Sequence, residues 1–306
     1  MISFTDSSTM IDETKKAKKQ FNPTINVLIS IALVVILKLS VSLFYYIAYN
    51  IYASNGVDKS SIFNPYMPNN LLSVTSLFIT VILIILCILY CTRIEKRSLR
   101  SMGLIKKGIF KQYSLGLIIG FSMFSAVILI LVTTGKINYA DVTGSFNPII
   151  ILYFLGYLFQ GASEEFLCRG FLLNSIAARN GVIAAIIINS TVFGALHFLN
   201  PGFTFLAFIN VILVGIFFSI YALKTDNIIG ACAIHSMWNF TQSNIYGLSV
   251  SGSHLSPSVL KFTSFHNSIL VGGKFGSESG LACTIVLLIS IILTLYIPKK
   301  PTAASN

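Results

Sequence analysis

Charge is what this chain has least of. Charged residues make up 10% of its 306 residues, and only ten are acidic, where an ordinary soluble domain carries about 25% charge. With hydrophobic residues at 55% and a mean hydropathy of +0.81, a soluble globular fold is excluded and a polytopic membrane protein remains. Cysteine is equally sparse. Cys87, Cys91, Cys168, Cys232 and Cys283 all fall within apolar segments and include no CxxC pair, which excludes a disulfide framework and leaves them as small packing residues. A cleavable signal peptide is also missing, because the first apolar run is too long for one and no small-residue cleavage pattern follows it. There is no repeat of the kind that marks many secondary transporters. The net charge of +11 invites a nucleic-acid reading. However, the lysines and arginines lie mostly in short segments between apolar runs, which is the pattern of membrane topology, so no nucleic-acid partner is expected.

What is there is a series of apolar runs. At about 20 residues per spanning helix, eight segments emerge, at roughly 25–53, 71–92, 113–134, 148–176, 182–199, 203–223, 227–247 and 279–297. The expected fold is therefore all-α, a polytopic membrane bundle of about eight transmembrane helices. Residues 1–24 read as a polar cytoplasmic tail and 25–299 as the bundle. Orientation follows from charge. Lys15, Lys16, Lys18, Lys19, Arg93, Lys96, Arg97, Arg100, Lys106, Lys107, Lys111, Arg179, Lys224, Lys299 and Lys300 fall on one side, against Lys59, Lys136, Lys261 and Lys274 on the other. That excess places both termini in the cytoplasm. The longest connection on the opposite side, about 248–278, is polar and Ser/Gly-rich, and its His254 and His266 read as solvated. Lys38, inside the first helix, reads as facing a water-filled gap. Gly116 and Gly120 form a GxxxG pair, which reads as close helix packing.

Against this apolar background the stretch Gly161-Ala162-Ser163-Glu164-Glu165-Phe166-Leu167-Cys168-Arg169-Gly170 stands out. Each charge at a membrane helix centre costs on the order of 3 kcal/mol, so the default reading is a functional site. On a helix, Glu165 and Arg169 share a face and can pair. Glu164 is rotated by about 100° from Glu165 and is expected to have no partner in its own helix. The fifth segment ends in Phe193 and His197, one turn apart, and the seventh carries His235 and Asn239 on one face. Rises of about 1.5 Å per residue put Glu164, His197, His235 and Asn239 at similar depth, which argues for one convergent polar pocket. Singly these groups mean little: a lone membrane histidine is as often a packing hydrogen bond as a catalytic group, and Asn189 or Gln160 would not stand out. Jointly they point to chemistry, because adjacent carboxylates repel one another.

These residues resemble the three motifs of a known family in order: EExxxR in Glu164, Glu165 and Arg169, FxxxH in Phe193 and His197, and HxxxN in His235 and Asn239. The family is that of the CPBP intramembrane proteases, also called the CAAX-protease and bacteriocin-processing or Abi family, and the likeness covers about 145–245. The resemblance implies an intramembrane endopeptidase acting on membrane-associated peptides or proteins, with Glu164, Glu165, His197, His235 and Asn239 as catalytic residues and Arg169 as structural partner. Peptide hydrolysis needs an activated water and an oxyanion donor. Glu164 suits the base, Glu165 the partner of Arg169, His235 and Asn239 the oxyanion donors, and His197 the positioning of water. In the rival account Glu164, His197 and His235 hold a zinc ion with one position open to water. Both a metalloprotease label and a metal-free glutamate mechanism attach to the family. Other protease signatures, HExxH and GxSG, are absent. Two further roles stand beside the protease: a non-catalytic bacteriocin self-immunity protein, and a proton-coupled transporter, against which the lack of paired Gly/Pro-broken helices argues. Richness in Ile, Asn, Lys and Ser matches an AT-rich genome, so a bacterial plasma membrane is the expected location. The sequence leaves oligomeric state open.

The orientation is directly testable. Single cysteines at Ser98 and Ser253, on a cysteine-free background, are expected to label from opposite sides of the membrane. Labelling of both by an impermeant reagent in intact cells would refute the eight-segment topology.

Overall fold

The computed structural model describes residues 8–54, 70–105, 108–142, 147–253, 257–264 and 268–298. Lys59, Lys106, Lys107, Lys299, Lys300, His254 and His266 lie outside these residues. Runs of Leu, Ile, Val and Phe with few breakers become helices because a backbone in lipid must satisfy its own polar groups. The helices are α1 (Thr9–Lys15), α2 (Pro23–Ser54), α3 (Asn70–Ile79), α4 (Val81–Leu89), α5 (Ile109–Thr133), α6 (Ile149–Glu165), α7 (Asn174–Asn180), α8 (Val182–Ala195), α9 (Phe205–Thr225), α10 (Ile229–Phe240) and α11 (Leu281–Leu295). π-Helical stretches extend α4 (Tyr90–Ile94), join α6 to α7 (Phe166–Leu173) and extend α10 (Thr241–Ile245).

Among the described residues four helices are long and apolar enough to cross a membrane: Pro23–Ile51, Leu71–Ile94, Ile109–Thr133 and Phe205–Thr225. Val182–Ala195 and Leu281–Leu295 are apolar but shorter. Burial ranks the spans. Only 11% of the most apolar window in Pro23–Ile51 is buried within the protein, against 61% for Phe205–Thr225, so α2 is peripheral and α9 central. Lys38 is exposed on α2.

The fold is all-α apart from one two-stranded antiparallel sheet. Ile137–Val142 (β1), just after α5, pairs with Leu260–Ser264 (β2) in the register Ile137↔Ser264 and Tyr139↔Phe262, with a bulge before Asp141↔Lys261. Period-3.6 apolar patterning could not announce this pair, because β2 sits in the Ser/Gly-rich connection. That connection folds back onto the helix ends: Asn244 Nδ2 donates to Pro257 O (2.7 Å), and the Gly252 backbone N–H donates to Phe275 O (2.7 Å). At the opposite end, residues that look merely polar in sequence include a buried helix. Met10 and Ile11 of α1 are buried, Ser8 Oγ donates to Asp226 Oδ1 (2.6 Å), and Arg97 Nη1 donates to Thr14 Oγ1 (3.1 Å). Arg97 itself pairs with Glu95 at 2.9 Å, and both side chains are buried.

Two close helix crossings position the interior. α5 meets α10 at Gly116 and Gly120. A Cβ at Gly116 would lie 2.6 Å from Gly230 O, and one at Gly120 would run into the carbonyl of Ile234. α6 meets the other side of α10 at Gly161, where a Cβ would lie 2.7 Å from the backbone nitrogen of Ser236. Helix α10 is thus clamped between two glycine-lined surfaces, which is how small residues let membrane helices approach. Gly120→Ala is expected to lower the stability of the detergent-purified protein by about 1–3 kcal/mol through overpacking. Ile118→Ala, on an exposed side chain of the same helix, should change it by no more than about 0.5 kcal/mol. Melting temperatures of the two variants against the parent check this.

Candidate active site

The site is built where α6, α8, α9 and α10 converge. Glu165 is the last residue of α6, and a π-helical stretch starts at the next residue. Its side chain and that of Arg169 are both fully buried, and Arg169 Nη1 donates to Glu165 Oε1 at 3.0 Å. Arg169 Nη2 donates to the backbone carbonyl of Gly215 on α9 (3.1 Å). The guanidinium lies between two rings, 4.8 Å from the centroid of Phe193 and 5.2 Å from that of Phe218, and such contacts are stronger where water is excluded. His235 of α10 completes the cluster, with Nδ1 2.9 Å from Glu165 Oε1 and its ring stacked on Phe218 (5.2 Å, 18°). Because an ionised carboxylate only accepts, Nδ1 carries the proton and Nε2 is left facing Glu164 Oε2 at 3.8 Å.

Glu164 is placed differently. Its side chain is 27% exposed and lines a cavity of about 360 Å³. The expectation that Glu164 has no partner within its own helix is corrected by the structure. Gln160, one turn earlier, donates from Nε2 to Glu164 Oε1 at 2.6 Å. The i, i+4 spacing that joins Glu165 to Arg169 joins these two as well. Gln160 in turn accepts from Asn239 Nδ2 at 2.9 Å, so Asn239 reaches Glu164 through one intermediary. His197 lies in the turn after α8, with Nδ1 2.8 Å from Phe193 O. A carbonyl only accepts, so this Nδ1 also carries the proton and Nε2 is free.

Glu164, His197, His235 and Asn239 all line the one cavity. Glu165 and Arg169 are not among its lining residues. Asn189, by contrast, donates to Ser219 Oγ at 3.0 Å between α8 and α9, a packing hydrogen bond of the kind expected for a lone membrane amide. Both histidines anchor Nδ1 and leave Nε2 open, the pattern of histidines that ligate metals. Yet among the described residues no three His, Cys, Asp or Glu side chains are grouped so that they could hold an ion. Glu164, His197 and His235 as placed do not form a three-ligand zinc set.

Three lining or supporting residues carried no readable signal. Phe218 looked like any apolar residue of α9, and Ser251 like any loop serine. Glu278, in a Ser/Gly-rich connection, looked solvated, but only 9% of it is exposed and it lines the same cavity.

The site is thus a cavity lined by carboxylate, imidazole and amide groups inside a bundle that holds several long apolar helices. Residues 146–241 match the model of the Rce1-like type II CAAX prenyl endopeptidase family, the CPBP or Abi group. The matched stretch contains Glu164, Glu165, Arg169, Phe193, His197, His235 and Asn239. No curated protein and no solved structure matches the chain.

Burial pushes the Glu278 carboxyl up to about 7, against the lowering effect of hydrogen bonds from Ser251. A raised carboxyl stabilises the fold fully at pH values below its unfolded pKa, and that contribution is lost as pH rises through the folded value. The melting temperature is therefore expected to fall between about pH 5 and pH 8, by the equivalent of on the order of 3 kcal/mol. Glu278→Gln should flatten the profile; an equally steep profile in that variant would assign the fall to another group.

Proposed function

We propose that the chain is an intramembrane endopeptidase that cleaves membrane-associated peptides or proteins with a water activated by Glu164. The observation that carries the reading is the division of labour between adjacent carboxylates. Glu165 is fully buried between Arg169 and His235, whereas Glu164 faces the cavity with Gln160 as its protein donor. A base must reach water and exchange a proton, and of the two adjacent glutamates it is Glu164 that lines the cavity, which supports it as the base.

The chemistry follows in two steps. Glu164 removes a proton from water, the water oxygen bonds to the scissile carbonyl carbon, and the C=O electrons move onto oxygen. His235 Nε2, when protonated, and the second N–H of Asn239 stabilise that oxyanion. Glu164 then passes its proton to the leaving nitrogen as the C–N bond breaks, giving an acid and an amine. His197, through its free Nε2, accepts a hydrogen bond from the water. In this reading all eight apolar segments cross a bacterial plasma membrane with both termini in the cytoplasm. A bacterium without protein prenylation offers no prenylated CAAX substrate, so unmodified membrane peptides are the preferred class.

The test uses purified protein in liposomes and a labelled membrane-peptide library. Glu164→Gln is expected to lose about 10²–10⁴-fold in cleavage rate while melting normally. Glu165→Gln should leave Arg169 buried and unpaired, at a cost of roughly 3–5 kcal/mol, and be recovered as a poorly stable protein. A stable, inactive Glu165→Gln beside an active Glu164→Gln would reverse the assignment. Cleavage that disappears on exhaustive chelation and returns with zinc would establish the metal account, and a parent protein that yields no product would favour the immunity role.

A further inference from the structure

Glu278 is the one carboxylate in the cavity wall that the proposed hydrolysis does not use. Its position is fixed, although its sequence surroundings look like a loose loop. It sits in a short 3₁₀ turn, Ser277–Ser279, immediately before α11. Asn210 of α9 donates from Nδ2 to Glu278 O (3.0 Å) and Gly280 O (2.9 Å), and Thr284 of α11 donates to Asn210 Oδ1 (2.7 Å). The backbone that presents the carboxylate is thus pinned to two helices.

The side chain is clasped on one oxygen. Ser251 gives both its backbone N–H and its Oγ–H (3.0 Å) to Oε1. Ser251 is held at φ 47, a left-handed conformation that a serine adopts at some cost, so this contact also shapes the 250–253 segment at the cavity mouth. Asn200, Pro201, Val250, Ser251 and Ser253 form that mouth together with Glu278, and Glu164 stands in the same cavity. Among the described residues lining the cavity none is Lys or Arg. Lys274, in the same connection, is exposed and is not a lining residue. The His235 imidazole eases the charge of Glu278, and a ligand that brings an ammonium or guanidinium beside it relieves the cost of burying the carboxylate further.

We infer that Glu278 recognises a cationic group of the substrate, the ammonium or guanidinium of a Lys, an Arg or a free α-amine, close to the bond that Glu164 attacks. The inference rests on the protease reading and adds the substrate class to it. The occupied cavity would then hold a cation between the carboxylates of Glu278 and Glu164, with the peptide arriving through the 200–201 and 250–253 mouth.

The experiment has a cleavage arm and a binding arm, both on the full chain in liposomes. Matched peptides differ only in Lys, Gln or Glu beside the cleavable segment, each with a free or an acetylated amino terminus. The parent protein is expected to cleave the Lys peptide with a kcat/KM roughly 10- to 100-fold above the Gln peptide, the range for a hydrogen-bonded charge. In Glu278→Gln that ratio should collapse towards one, and in Glu278→Lys the Glu peptide should become the better substrate. Ser251→Ala loosens the clasp but keeps the carboxylate, so it should retain the Lys preference. Preference that follows the free terminus and not the Lys identifies the α-amine as the recognised group. In the binding arm, Glu164→Gln should hold the Lys peptide more tightly than the Gln peptide, and the Glu164→Gln, Glu278→Gln double variant should not. A Lys-to-Gln ratio unchanged by Glu278→Gln, or lost equally in Ser251→Ala, overturns the inference and leaves Glu164-dependent cleavage standing. Lys-selective binding without any cleavage supports the inference and overturns the protease reading.

Discussion

The carboxylate of Glu165, shared between a guanidinium and an imidazole, is the interaction on which the interior of this protein depends. A buried ion pair is not in itself a source of stability, because desolvation can exceed the Coulomb gain. Here the cost is offset in part: Oε1 of Glu165 takes both donors, while its Oε2 and Arg169 Nε are buried without a hydrogen-bond partner. Arg169 finds Glu165 and the Gly215 carbonyl as well as two ring faces, and His235 spends its one Nδ1 proton on the same oxygen. The result links α6, the π-helical stretch, α8 through Phe193, α9 through Gly215 and Phe218, and α10 through His235. Helices that have no hydrophobic reason to associate within lipid gain a polar reason to do so at one point.

Two further features make that point reachable. Glycines at the α5–α10 and α6–α10 crossings bring α10 close enough for imidazole and carboxylate to touch. The π-helical turn after Glu165 widens the helix and upsets its regular carbonyl partners, and side chains compensate. Asn174 Nδ2 donates to Arg169 O (2.7 Å), and Arg97 Nη2 donates to Gly170 O (3.2 Å). π-Helical turns cluster at functional sites, and this one follows directly on the acidic pair. Through Arg97 and its bond to Thr14, the turn is also in contact with α1, so the basic end of the bundle and the polar interior share one hydrogen-bonded chain.

Much of this was legible in sequence, for definite reasons. Apolar runs in a low-charge chain can only be helices, and helical covering matches the runs read from 25–53 to 279–297. Spacing of four placed Glu165 against Arg169, and similar depth placed Glu164, His197, His235 and Asn239 around one cavity. The family-model match over residues 146–241 spans the same residues. What was not legible depends on contacts distant in sequence or on the connections. The β1–β2 pair joins segments more than a hundred residues apart. α1 gains its burial from the Ser98–Met102 turn, α7 and Asp226. Glu278 gains its burial from Asn210 and Ser251. Gln160 is the instructive case: its i, i+4 relation to Glu164 was available, but a neutral amide in a membrane helix draws no attention until its partner is known.

The adjacency of Glu164 and Glu165 can now be understood geometrically. One carboxylate cannot both lie fully buried against a guanidinium and reach the cavity, and here Glu165 does the first and Glu164 the second. Successive helical residues are separated by about 100°, which is enough to turn one side chain into the counter-charge cage and the next into the cavity while both stay on the same turn. His235 bridges the two environments, with Nδ1 on Glu165 and Nε2 towards Glu164. The anchored carboxylate therefore fixes the tautomer and orientation of the ring that faces the free one. The imidazole thus spans the two glutamates, which a single residue of helical rotation holds apart.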